Sequence, residues 1–208
     1  MRLTVTPKEG GSIKADALVL FISTKELKKE AAKLLKNLGA DQGALKDFKA
    51  SAGDIAIAYR AASGKTTSRL LLAGVGDGDK VEEYRKAAEA AGRKAVDLKL
   101  GALALDCSLV AQWAKQSKCK PDALAAILAG AVQYGAYRFD RFKSGKLDKT
   151  QDERKFKGID ELVFAGCDKQ LAAIENGANA GMIVGFCQNA ARDLVNLPGN
   201  HLSAEEIG

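Results

Sequence analysis

The chain has 208 residues, 47% of them apolar and 28% charged, and its 32 Lys/Arg against 26 Asp/Glu give a net charge of +6. These proportions exclude disordered and fibrous classes, and a chain of this length buries roughly 70% of its extended surface, so it needs no disulfide or metal staple. The longest uncharged apolar run, residues 123–132, is about half of the ~20 residues a membrane span requires, and residues 1–11 lack the apolar stretch of a secretory leader.

Taken in order, residues 2–6 alternate polar and apolar, the pattern of a half-buried edge strand. Residues 16–22 (DALVLFI) are continuously apolar and suit a strand covered on both faces. Leu27, Ala31, Leu34, Leu35 and Leu38 recur at three- and four-residue spacing and predict one amphipathic helix with a lysine-rich outer face, capped by Gly39. Residues 54–60 and 69–75 read as two strands joined by the turn-like 61–67, hence a hairpin. A long Ala- and Lys-rich helix follows over 81–98, then a strand at 100–106 and a helix at 109–118. Pro121 starts another helix that runs to about Tyr137. Residues 138–157 are polar and charged and read as a loop, 162–166 as the last strand, and 170–195 as a long helix. That helix carries Gly177, Gly181 and Gly185, small residues that let a neighbouring element approach closely. Alternating buried-type strands and helices make the class α/β, with a largely parallel or mixed sheet.

The chemistry is sparse. His201 is the single histidine, and no H-E-x-x-H or G-x-S-x-G segment occurs, so neither a histidine-ligated metal nor a Ser–His triad is expected. The acidic pairs Asp152-Glu153, Asp160-Glu161 and Glu205-Glu206 put neighbouring side chains in different directions and read as solvated surface. Gly74-Val75-Gly76-Asp77-Gly78-Asp79 lies between a strand and a helix, as a phosphate cradle does. Its acidic residues repel phosphate, and Asp79 stands where the third glycine belongs, so a tight turn is the simpler reading. The same acids disfavour an ADP-ribose-type ligand. Cys107, Cys119, Cys167 and Cys187 show no C-x-x-C spacing; Cys107, Cys167 and Cys187 sit in apolar surroundings and read as buried free thiols of a reducing cytoplasm. The 138–157 segment holds eight Lys/Arg against four Asp/Glu, with Phe139, Phe142 and Phe156 interleaved. Arg138, Arg141, Lys143, Lys146 and Lys149 are its candidate nucleic-acid contacts, set against the plainer reading of a solvated loop pinned by its aromatics.

The end of the chain is the most specific. A turn at Leu197-Pro198-Gly199-Asn200 precedes Ser203-Ala204-Glu205-Glu206, a capping box that opens a helix. One turn later the sequence stops, and a single turn does not persist alone. The expectation is a partial chain. Residues 190–200 (AARDLVNLPGN) resemble the segment joining the two domains of the leucyl aminopeptidase (cytosol aminopeptidase) family. Residues 135–143 (GAYRFDRFK), and residues 70–78 followed by Tyr84-Arg85-Lys86-Ala87-Ala88, are similar to further segments of that family, in the same order.

The resemblance implies a macro-domain-like fold: a mixed, mostly parallel sheet flanked by helices on both faces. It implies an amino-terminal domain over 1–168 and a long helix and linker over 169–208, leading to a catalytic domain absent from this chain. That domain would hold two divalent ions (Mn or Zn) on lysine, aspartate and glutamate side chains, with a catalytic lysine and an arginine in an N-T-D-A-E-G-R segment. None of those motifs occurs here, so no catalytic or metal-binding residue is assigned within residues 1–208, and the chain alone is expected to be inactive and to hold no cofactor. The resemblance further implies a cytoplasmic hexamer acting on peptides, with this domain at its periphery, no membrane partner, and DNA binding in some bacterial members.

Overall fold

A computed structural model of the chain describes residues 1–60, 67–139, 158–168 and 170–198. The strands are β1 (Arg2–Val5), β2 (Ala17–Ile22), β3 (Ile55–Tyr59), β4 (Arg69–Gly74), β5 (Ala102–Asp106) and β6 (Glu161–Ala165). They form one sheet in the order β1-β6-β5-β2-β4-β3. All neighbours run parallel except β3 and β4, which pair antiparallel from Ile55↔Ala73 to Tyr59↔Arg69. The expected hairpin is therefore present at one edge; residues 61–66 of its turn lie outside the described residues. The opposite edge is β1, as its alternating pattern indicates, with Arg2 bound to Glu161 at 2.9 Å.

The helices are α1 (Thr24–Lys29), α2 (Ala31–Asn37), α3 (Val81–Asp97), α4 (Val110–Gln116), α5 (Pro121–Gly135) and α6 (Leu171–Asn196). They lie on both faces of the sheet. The run Ala17–Ile22 is buried throughout because it occupies the interior of the sheet and feeds both sides. Val19 and Phe21 join Leu71, Leu103 and the inner faces of α3, α4, α5 and α6. Leu18, Leu20 and Ile22 join Leu70, Leu72, Phe48 and the Ala31 and Leu35 of α2. On the first side Trp113 packs edge-on to Phe21 at 5.4 Å and against Tyr84 at 5.7 Å, ring-centroid distances typical of favourable aromatic pairs.

Two expectations need correction. The single helix over 27–38 is two helices, broken at Glu30 (φ −128°, ψ −25°). Ser23 caps the first one with Glu26 in a reciprocal capping box, a start signal that lies ahead of the periodic leucines. Leu34 is exposed, because only Ala31 and Leu35 of α2 face the sheet. The strand expected from Leu100 begins at Ala102; Lys99 (φ 54°) turns the chain first and leaves Leu100 buried as a plug.

Candidate interdomain surface

The glycines of α6 do what their spacing implied. Ile174, Gly177, Ala178, Gly181 and Gly185 form the buried stripe of this helix. A Cβ added at Gly177 would overlap the Asp122 carbonyl, and one at Gly181 the Ala126 carbonyl, both on α5. The two backbones thus approach more closely than any side chain allows.

The other side of the same helix is apolar too. Ile183, Val184, Phe186, Leu194 and Val195 are exposed, Phe186 by 70% and Val195 by 85%. Their spacing puts them on one broad face pointing away from the sheet. Beside this face, α5 and α6 enclose a groove of about 430 Å³ lined by Ala126, Ile127, Gly130, Ala131, Tyr134 and Val184, with Arg85 at its rim. Arg85 is held there by Glu82 at 2.7 Å and Glu89 at 2.8 Å.

The carboxyl end of α6 is clamped to the end of α5. The Arg192 guanidinium lies 4.3 Å from the Tyr134 ring centroid and 3.9 Å from that of Tyr137. It also donates to the Tyr134 carbonyl at 2.9 Å. Tyr137 donates its hydroxyl proton to Asp193 Oδ1 at 2.8 Å and accepts from Asn196 Nδ2 at 3.1 Å. Asn189 Nδ2 donates to the Gln133 carbonyl at 3.1 Å. Burial, with the Asp193 carboxylate alongside, pushes the Tyr137 phenol above its ordinary range. The clamp joins two separated segments of the sequence, 135–143 and 190–200: Tyr137 comes from the first, and Arg192, Asp193 and Asn196 from the second. Together they fix the direction in which the chain leaves α6.

Other sequence candidates fall elsewhere. Arg138 lies three residues past the end of α5; Arg141, Lys143, Lys146 and Lys149 lie outside the described residues, as do Asp152, Glu153, His201 and the capping box at Ser203. Glu161 opens β6, next to the edge strand β1, and accepts from Thr4 Oγ1 at 3.1 Å besides pairing with Arg2. Residues 75–80 form the expected turn between β4 and α3, with Asp77 accepting from Thr24 Oγ1 at 2.9 Å. Among the described residues no group of three or more His, Cys, Asp or Glu side chains is placed to hold a metal ion, so they offer no donor set for the divalent ions of the resembled family. No helix among them is long and apolar enough to cross a membrane. Cys107 and Cys167 are buried as expected, but Cys187 is exposed, because its apolar neighbours Val184 and Phe186 are themselves on the outer face of α6. That exposed apolar face is a feature sequence reading missed. Its signal was the apolar pairs Ile183-Val184 and Leu194-Val195, with Phe186 between them, beside the glycine repeat.

Residues 18–146 match the family model described as the cytosol aminopeptidase family, N-terminal domain. A "probable cytosol aminopeptidase" of Chlorobaculum parvum is 81% identical over 207 residues, and one of Chlorobaculum tepidum 62% identical over 208. Each match covers 100% of this chain and 41% of the relative, so the chain spans under half the length of these curated relatives. Among solved structures, a tomato leucine aminopeptidase variant superposes with a TM-score of 0.67 at 19% identity, covering 96% of this chain and 39% of its own. The bottromycin maturation enzyme BotP gives 0.65 at 19% identity, covering 93% and 35%. The fold is shared with both, and the family match and the identity of the relatives establish the rest: the chain belongs to the cytosol aminopeptidase family, as its amino-terminal domain.

Proposed function

We propose that this chain is the non-catalytic domain of a cytoplasmic metallo-aminopeptidase and that it docks, through the outer face of α6, onto the catalytic domain of the same polypeptide. The exposed stripe from Ile183 to Val195 carries the reading. A helix clamped at its end by Arg192, with its free face apolar, is built to be covered by a second domain. The 41% coverage of the relatives supplies a partner of the right origin. The full-length parent would remove amino-terminal residues from peptides, with its two divalent ions, manganese or zinc, held after residue 208, and would assemble as a hexamer.

Two measurements test this. With added manganese or zinc, the full-length polypeptide turns over leucine p-nitroanilide and residues 1–208 do not; turnover by the shorter chain overturns the assignment. Cys187 reacts rapidly with N-ethylmaleimide in residues 1–208 and is protected at least tenfold in the full-length polypeptide; equal rates would remove the docking face. The basic segment 138–157 keeps its nucleic-acid reading on composition alone, and a gel shift at two salt concentrations decides it, since phosphate-driven binding falls steeply with salt.

A further inference from the structure

Cys107 and Cys167 follow the carboxyl ends of two neighbouring parallel strands. The register pairs Asp106 of β5 with Ala165 of β6, so Cys107 stands opposite Gly166 and Cys167 lies one residue further on. Continued strand alternation would send the Cys167 side chain to the other face of the sheet. Gly166 breaks that alternation with φ 78°, and its backbone lies so near Ser108 that a Cβ would stand 3.0 Å from the Ser108 nitrogen. Both side chains consequently enter the same buried cluster and line one cavity, where the Cys167 thiol donates to the Ala165 carbonyl at 3.8 Å.

The surrounding backbone is pinned. Cys107 N–H donates to the Ala165 carbonyl at 2.8 Å, Cys167 N–H to Thr6 at 3.1 Å, and Gly166 N–H to Lys8 at 2.8 Å. Three strand ends therefore hold the two sulfurs in place. Their environments differ. Burial pushes the Cys107 thiol up, while the neighbouring Cys107 pulls the Cys167 thiol down. Buried thiols are ordinarily inert, because no reagent reaches them. Here both line a cavity of about 300 Å³ together with Ser108, Asp168 and Gln170. A water occupies ~30 Å³ of liquid, so the space admits a peroxide molecule.

We propose that Cys107 and Cys167 form a peroxide-reactive dithiol whose oxidised form is a disulfide linking the ends of β5 and β6. The Cys167 sulfur attacks one peroxide oxygen. The O–O bond breaks, two electrons pass from sulfur to peroxide, and the departing hydroxide takes the thiol proton and leaves as water. Cys167 is then a sulfenic acid. The Cys107 sulfur attacks the Cys167 sulfur and displaces hydroxide, which takes the Cys107 proton and leaves as a second water. In sum, two thiols and one hydrogen peroxide give one disulfide and two waters.

The test uses the full-length polypeptide in its native state, treated with hydrogen peroxide, blocked with N-ethylmaleimide and digested without reductant. Mass spectrometry should find the 107 and 167 peptides joined, with the loss of two hydrogens, and dithiothreitol should separate them. In Cys107→Ser the sulfenic acid should persist at Cys167 and be trapped by dimedone; in Cys167→Ser no adduct should form at Cys107. Absence of the 107–167 link in the native wild-type protein overturns the proposal, as does a link that forms only after unfolding in urea. The wild-type readout stands whether or not either variant folds.

Discussion

The two faces of α6 are made of opposite materials for opposite neighbours. Its inner face is nearly bare backbone, Gly177, Gly181 and Gly185, fitted against α5. Its outer face carries Phe186 and Val195, which touch little of their own domain. Close-packed interiors tolerate no added atom, whereas an uncovered side chain contributes little until something lies against it. The comparison teaches that within one helix, residue size alone does not reveal burial: Gly177, Gly181 and Gly185 are buried while Ile183, Phe186 and Val195 are exposed.

The contrast breaks most readily at Gly181. Gly181→Leu would drive a side chain into the Ala126 carbonyl, and the expected loss is about 3 kcal/mol or more in urea unfolding of residues 1–208. A loss within experimental error would show that the two helices are not in contact as described. At the clamp, Arg192→Ala removes two ring contacts and a hydrogen bond, for an expected loss of about 1–2 kcal/mol by thermal or urea unfolding. Arg192→Lys should restore only part of it, because an ammonium cannot lie flat between two rings as a guanidinium does.

A titration sharpens the same contrast on the covered side. Burial first, then the nearby Glu26 and Glu83, push the Tyr84 phenol well above its ordinary range. Its folded value is raised, so its contribution is complete below about pH 10, the unfolded value, and is lost as pH climbs beyond it. Stability should therefore fall above about pH 10, and Tyr84→Phe should flatten that slope in unfolding curves taken at successive pH values. The smallest effect on the domain itself belongs to the outer face. Phe186→Ser should change the stability of residues 1–208 by no more than about 0.5 kcal/mol. In the full-length polypeptide it should expose Cys187 to N-ethylmaleimide and lower activity.

Much of the fold was legible because periodicity reports burial. The run Ala17–Ile22 could only be an interior strand, and the hairpin at 55–74 followed from two short apolar runs around a turn. The glycine repeat of α6 announced close packing correctly. The break at Glu30 was not legible, since leucines at helical spacing continue straight through it and the sheet, not the local pattern, decides which of them turn inward. The outer stripe was obscured for a related reason. A helix apolar on two sides has a weak amphipathic signature, and the glycines dominate its pattern. The expected burial of Cys187 fails for the same reason. The clamp was half legible: both of its segments stood out, but nothing local says that Tyr137 and Arg192, 55 positions apart, would stack.

The pairing of β1 with β6 carries a consequence for how this polypeptide is made. Arg2 aligns with Glu161, so the first strand of this sheet to leave the ribosome finds its partner only after nearly the whole of the sheet has been translated. At ~5–20 residues per second that interval is roughly 8–32 s. Joining segments so distant along the chain also carries a large closure entropy, which slows folding. Until then only β2, β3, β4 and β5 can pair, around an unfilled edge at β5, making the arrival of residue 161 the event that releases β1 from waiting.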